Sequence, residues 1–264
     1  MKYIDRLVMS VWKYLEILDQ IAPHDGSDAD VSGPPLPVMV LRLKDMIGIV
    51  TGLAAEARCC SGMLVRCKGP GAERAAIACE ALVAHGVTGL VSFGLAGGLA
   101  PTLRPGTVVL ASEVVLRDGH RLKPHGPWRE RLHRRLAALR PVDVPVAVSD
   151  QVATSPTLKR RLLTVTGAGA VDMESGAVAL HAMAYGLPFV VVRVTADPAE
   201  RLLPPAALAS MGPDGHLRFW RVLRGLCRQP WQGPAFVRLV QDSRTAFTML
   251  RCVAKRAGVD FAFS

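Results

Sequence analysis

The strongest constraint on this chain is an alternation that begins at Met46. Apolar, β-branched runs at Ile47–Thr51, Thr88–Phe93, Thr107–Val115, Val144–Val148 and Phe189–Thr195 take turns with stretches of helical character at Ala72–His85, Pro127–Leu139, Pro156–Leu163 and Met173–Tyr185. Strands this uniformly apolar are covered on both faces, and the intervening helices supply the cover, so the pattern predicts an α/β sheet. The helical stretches close near Gly or Pro, as at Gly86 and at Gly186 with Pro188, where glycine takes the left-handed cap and proline cannot continue a helix. Beyond Asp197 the pattern becomes purely helical, with basic amphipathic segments at Leu217–Arg228 and Ala235–Arg256.

Residues 1–45 read as an N-terminal extension. Ile4, Leu7, Val8, Val11, Leu15 and Leu18 fall at helical spacing, and the Asp-, Gly-, Ser- and Pro-rich stretch that follows reads as a linker. Asp5 and Glu16, with no small-residue cleavage site, argue against a secretory signal, and no apolar run is long enough to span a bilayer. A cytoplasmic location is therefore expected. The six cysteines form no CxxC pair and accompany no paired histidines, so they read as reduced thiols; neither a metal nor a cofactor is expected. The net charge of +10 is uneven: residues 1–45 hold five Lys/Arg against seven Asp/Glu, whereas residues 201–264 hold ten against three. A basic C-terminal surface of this kind meets something anionic, either nucleic acid or the inner face of a membrane.

Four segments carry the chemistry, each ending a strand or opening a helix, where ligands collect in such sheets. Thr51–Arg58 places Glu56 in a first helical turn, a position where a carboxylate also suits the helix dipole. Ser92–Leu99 supplies Gly94, Gly97 and Gly98 after a strand, reading as a loop that lets backbone approach a ligand. It lacks the spacing of a dinucleotide or P-loop motif. Ala170–Ala177 brings Asp172 and Glu174 to a helix start, where they either cap the helix or grip a vicinal diol. Phe189–Pro198 buries Arg193 in an apolar strand and ends it on Asp197; a buried arginine of this kind calls for a carboxylate partner.

Taken in order, GIVTGLAAEA, SFGLAGGLAPTLRPGTVVLASEVV, AVDMES and PFVVVRVTADPA resemble the nucleoside phosphorylase superfamily. The glycine segment is particularly similar to the methylthioadenosine/S-adenosylhomocysteine nucleosidases. LAAEAR, the spacing from Asp197 to Pro205 and the arginine-rich tail resemble the hopanoid-associated phosphorylases, also called adenosylhopane nucleosidases. The resemblance implies a three-layer fold with a central mixed twisted sheet, a catalytic domain over residues 46–256, and a homo-oligomer. It assigns Asp197 as the acid at purine N7, Glu174 as the grip on the ribose hydroxyls and Met173 as the residue packing on the sugar. Val152 and Ala153 fall where the family's backbone meets the adenine edge, and Glu56 matches the acid that orients an attacking water. Leu53, Gly94 and Leu95 would line the sugar, with the leucines forming an apolar wall for a 5′ substituent.

The expected reaction is hydrolysis of a 5′-substituted adenosine, adenosylhopane being the substrate the resemblance implies. A carboxylate at Glu56 repels phosphate and activates water. Ser92 stands where phosphorylases carry arginine. Arg58, with Ser92, keeps phosphorolysis as the alternative, with phosphate as co-substrate; a methylthioadenosine-type nucleosidase is another. A nucleic-acid-binding protein on a degenerate fold is the non-enzyme alternative, disfavoured by few aromatics and by the joint presence of Glu56, Glu174 and Asp197. With adenosylhopane as substrate, the basic tail would serve peripheral contact with an anionic membrane.

Overall fold

The computed structural model describes residues 46–203 and 233–263. The N-terminal extension and the basic segment Leu217–Arg228 lie outside the described residues. The strands are β1 (Ile47–Thr51), β2 (Leu64–Cys67), β3 (Gly89–Gly98), β4 (Val108–Val115), β5 (Arg121–Leu122), β6 (Val142–Val148), β7 (Ala170–Asp172) and β8 (Phe189–Asp197). The helices are α1 (Ala54–Ala57), α2 (Ala72–Ala84), α3 (Gly126–Arg135), α4 (Pro156–Thr166), α5 (Ser175–Ala184) and α6 (Gly233–Ala257). Each apolar run expected as a strand is one, within a few residues at either end.

The sheet is mixed, and part of it closes on itself. β1 pairs in parallel with β2 and with the first half of β3, while β8 runs parallel along the other edge of β3. β8 also pairs antiparallel with β4, β4 parallel with β6, and β6 parallel with β7. β7 returns to β3 antiparallel at Gly97 and Gly98, on the edge that β1 vacates after Ser92. Five strands thus form a ring, with β1 and β2 extending from it. Ring closure removes two strand edges that would otherwise need covering.

Side-chain alternation divides the core into layers. Ile47, Ile49, Val91, Phe93, Val190, Val192 and Val194 pack on one face with Trp128 of α3 and Leu250 and Val253 of α6. Val50, Leu90 and Val191 pack on the other with Leu82 of α2 and Val178 of α5. The packing continues past Arg256: Phe261 is buried, its ring edge-on to Phe93, and its carbonyl accepts from Trp128 Nε1.

The glycine-rich segment is not a loop. Gly94, Gly97 and Gly98 are the second half of β3, and none has positive φ. Their role is proximity. A Cβ at Gly94 would lie 2.7 Å from Glu56 Oε1 and 2.8 Å from Arg193 Nη1, and one at Gly98 would crowd Thr195 and the Leu103 carbonyl. β7 is another departure: Ala170–Asp172, read as the entry to a helix, pairs with β6 and β3 before α5 begins at Ser175. Three residues are too few to show a period of two in sequence.

Candidate active site

Glu56 sits in the short α1, and its carboxylate is cradled by backbone. Oε2 accepts from Gly52 N–H at 3.0 Å and Leu53 N–H at 2.9 Å; Oε1 accepts from Leu95 N–H at 2.8 Å. The first two amides belong to the turn after β1 and the third to β3, so the acid ties two elements together. The side chain is buried. Desolvation, helped by the negative charge of Glu174, raises its pKa to about 7, against the pull of Arg193 and the amides.

Glu174 stands between β7 and α5. It makes no cap bond to α5; instead Oε1 accepts from Gly71 N–H at 2.9 Å. Burial pushes its pKa up, opposed mainly by Arg193, whose Nη2 lies 3.8 Å from Oε2. Gly52 separates the two acids: its N–H serves Glu56, and a Cβ on it would fall 2.7 Å from Glu174 Oε1. Met173 lies beside Gly71, its Cε 4.0 Å from where a Cβ would be.

Arg193 organises this cluster from β8. Its Nε donates to Asp172 Oδ2 at 2.6 Å and its Nη2 to Ser92 Oγ at 2.6 Å. Asp172 also accepts from Ser175 Oγ at 2.7 Å, which locks the start of α5. A buried guanidinium is tolerable only with partners of this quality. Arg193 stands opposite Gly94 in the β3–β8 register, so the absent side chain there makes room for the guanidinium.

Asp197 ends β8 and is buried, with Gly97 of β3 beside it. Burial raises its pKa, opposed by Lys159, whose ammonium is bonded to Oδ2 and also donates to the Pro198 carbonyl at 2.7 Å. Val152 and Ala153 lie in the loop between β6 and α4. That loop is tied to the end of β7 by Ser149 N–H on the Asp172 carbonyl and to the segment beyond β8 by Leu203 N–H on the Thr154 carbonyl. Ala153 is buried and Val152 exposed.

The structure therefore brings Glu56, Glu174, Leu53, Gly94, Leu95 and Ser92 together around Arg193. Ser92 is fully buried and its hydroxyl accepts from Arg193, which accounts for a polar residue in an apolar strand. Arg58 opens the 3₁₀ turn after α1, and its backbone N–H caps that helix by donating to the Ala54 carbonyl. Two residues absent from the expected site are central to it. Asp172 had a sequence signal, being one of the motif carboxylates available to a buried arginine that calls for one; Lys159 had none, because a lysine beside Arg160 and Arg161 looks like a solvated helix face. Among the described residues, no group of His, Cys, Asp and Glu could hold a metal ion.

A sequence profile described as Phosphorylase superfamily matches residues 59–210. A 5′-methylthioadenosine/S-adenosylhomocysteine nucleosidase from Geobacillus kaustophilus is 30% identical over 131 residues, 41% of this chain and 54% of that protein. The match thus spans about half the length of that relative. The same nucleosidase from Neisseria meningitidis, solved with methylthio-immucillin-A, superposes with a TM-score of 0.62 at 16% identity, covering 81% of this chain and 99% of the other. The futalosine hydrolase of Helicobacter pylori does so with a TM-score of 0.59 at 16% identity, again covering 81% and 99%.

Proposed function

The chain belongs to the phosphorylase superfamily, and from that premise we propose that it hydrolyses the N-glycosidic bond of a 5′-substituted adenosine. The observation that carries hydrolysis is the cradle around Glu56. Three backbone amides from two elements converge on one point, an arrangement that binds anions. Here the chain's own carboxylate fills it. A phosphate would have to displace Glu56 and approach Glu174 as well, whereas a water meets a base whose pKa of about 7 suits proton removal near neutral pH.

In this reading the adenine lies against Asp197 and the loop of Val152 and Ala153. Glu174 Oε2, held only at 3.8 Å by Arg193, receives the ribose hydroxyls. As the C1′–N9 bond breaks, its electron pair passes to the purine and Asp197 gives its proton to N7. Water attacks C1′, and Glu56 takes the water's proton. Glu56 and Glu174 also place negative charge near the oxocarbenium-like sugar. Leu53 and Leu95 supply apolar surface for the 5′ group, which is why we favour a substrate with a large apolar 5′ substituent such as adenosylhopane over methylthioadenosine.

A substrate of that kind sits at a bilayer. Among the described residues no helix is long and apolar enough to cross one. The basic C-terminal residues, including Arg251, Lys255 and Arg256 of α6, would instead contact anionic headgroups from the cytoplasmic side, with residues 46–256 as the catalytic domain of a homo-oligomer. Flotation with anionic liposomes at low salt tests that contact, and no binding would count against it.

The deciding experiment is incubation of the protein with 5′-alkyl adenosines of increasing chain length, with and without phosphate, and both products identified by mass spectrometry. Adenine with a free ribosyl product, unaffected by phosphate, is the expected result. Adenine that appears only with phosphate, alongside a sugar 1-phosphate, would overturn hydrolysis and direct attention to Arg58.

A further inference from the structure

Among the described residues Lys159 is the only lysine that is fully buried. It closes the first turn of α4, where its N–H donates to the Ser155 carbonyl at 3.0 Å, and its neighbours Arg160 and Arg161 are exposed. Solvent was available one residue away, yet the ammonium is directed inward to Asp197 Oδ2 and the Pro198 carbonyl. Burying an ammonium is costly unless a charged partner is fixed in place.

Among the described residues, the other two charged groups that act on Asp197 oppose each other. Arg201, just beyond β8, and Asp242 of α6 pair with each other at 2.6 Å. Gly97 of β3 contributes no charge, and a Cβ there would lie 3.7 Å from Asp197 Oδ1. Among the described residues, that leaves Lys159 as the charge that chiefly acts on the carboxyl group. Among the described residues, Asp197 Oδ1 has no hydrogen-bond partner.

We infer that Lys159 is a positioning residue for the acid: it pins Oδ2 of Asp197, leaves Oδ1 to meet the purine, and stabilises the carboxylate that Asp197 becomes once its proton has left for N7. The inference rests on Asp197 being the N7 acid. The departing step ends with a neutral purine and a carboxylate; the ammonium transfers no proton but lies against the charge as it forms. Without Lys159 the acid would keep its proton to higher pH and give it up less readily to a departing base. The device matters only for a leaving group that must be protonated.

That dependence supplies the test. K159M is compared with wild type on an adenine nucleoside and on 4-nitrophenyl riboside, whose phenolate leaves without a proton, with melting temperature recorded for both proteins. K159M should release adenine roughly tenfold to a hundredfold more slowly, a smaller loss than the about 10² to 10⁴ of removing a general acid itself. Its kcat profile should move to higher pH, while nitrophenol release stays within about threefold of wild type. Should K159M fold poorly, K159A with added methylammonium replaces it, and recovery of adenine release is expected. Equal losses on both substrates, or an unmoved pH profile, would make Lys159 merely structural and overturn the inference. Wild-type adenine release by D197N would instead remove Asp197 as the acid, and with it the premise for Lys159.

Discussion

Replacing Glu56 by Gln should reverse its effect on stability as pH rises. The carboxyl group is buried, and burial holds its pKa at about 7 against an ordinary 4.5. Between those values the folded chain keeps a proton that the unfolded chain has lost. Raising the pH from 4.5 therefore removes stability until about pH 7, and the loss is constant above that. At about 1.4 kcal/mol per pH unit, the full cost is about 3 kcal/mol. E56Q has no such proton, and the remaining ionisations are common to both proteins apart from Glu174, which ionises more easily once the Glu56 charge beside it is gone. The difference in unfolding free energy, E56Q minus wild type, should thus rise by about 3 kcal/mol between pH 4.5 and about pH 8. Urea unfolding at several pH values and fixed ionic strength measures it. The amide bonds of the cradle favour the ionised carboxylate and are already contained in the pKa of about 7, so they add nothing further to the slope with pH. A difference that stays flat across the range would refute the argument, because Glu56 would then ionise in the fold as it does in water. Hydrolytic kcat should climb through the same pH region in wild type and be largely lost in E56Q.

Other consequences follow from the same geometry. D197N should lower kcat for adenine release by about 10² to 10⁴ while leaving KM much less affected, since the acid acts on the departing base; steady-state kinetics decide. G94A introduces a Cβ 2.7 Å from Glu56 Oε1 and 2.8 Å from Arg193 Nη1, which should cost about 1–3 kcal/mol in chemical denaturation and reduce kcat. D172N leaves the guanidinium of Arg193 without its main partner and should cost about 3–5 kcal/mol, with R193M/D172N less unstable than D172N alone. A double mutant no better than D172N would show that Asp172 works chiefly through Ser175.

Much of the fold was legible because burial leaves a periodic trace. β1, β4 and β8 are largely runs of apolar, β-branched residues, and the ends of those runs fall within about two residues of the strand ends. The short strands were not legible. β2, β5 and β7 have four, two and three residues, and they exist because neighbouring strands offer unpaired edges. Gly94–Gly98 misled for a related reason: glycine reads as a turn when its environment is unknown, and here it makes space inside a strand. In the site, the motif acids Glu56 and Glu174 were visible by type and place, and Arg193 by its cost in an apolar strand.

By itself, then, the sequence determined the α/β layering, the order of the long elements and the acids that chemistry could use. Those follow from local composition and period, which each segment carries within it. The tertiary structure alone decided that β7 closes the strands into a ring, that amides from two separate elements converge on Glu56, and that Arg193 chooses Asp172 and Ser92. It alone turned Lys159 inward to Asp197, across 38 positions of chain. Pairings of that kind depend on which surfaces the folded backbone brings within a few ångströms, and no local pattern in the chain encodes them.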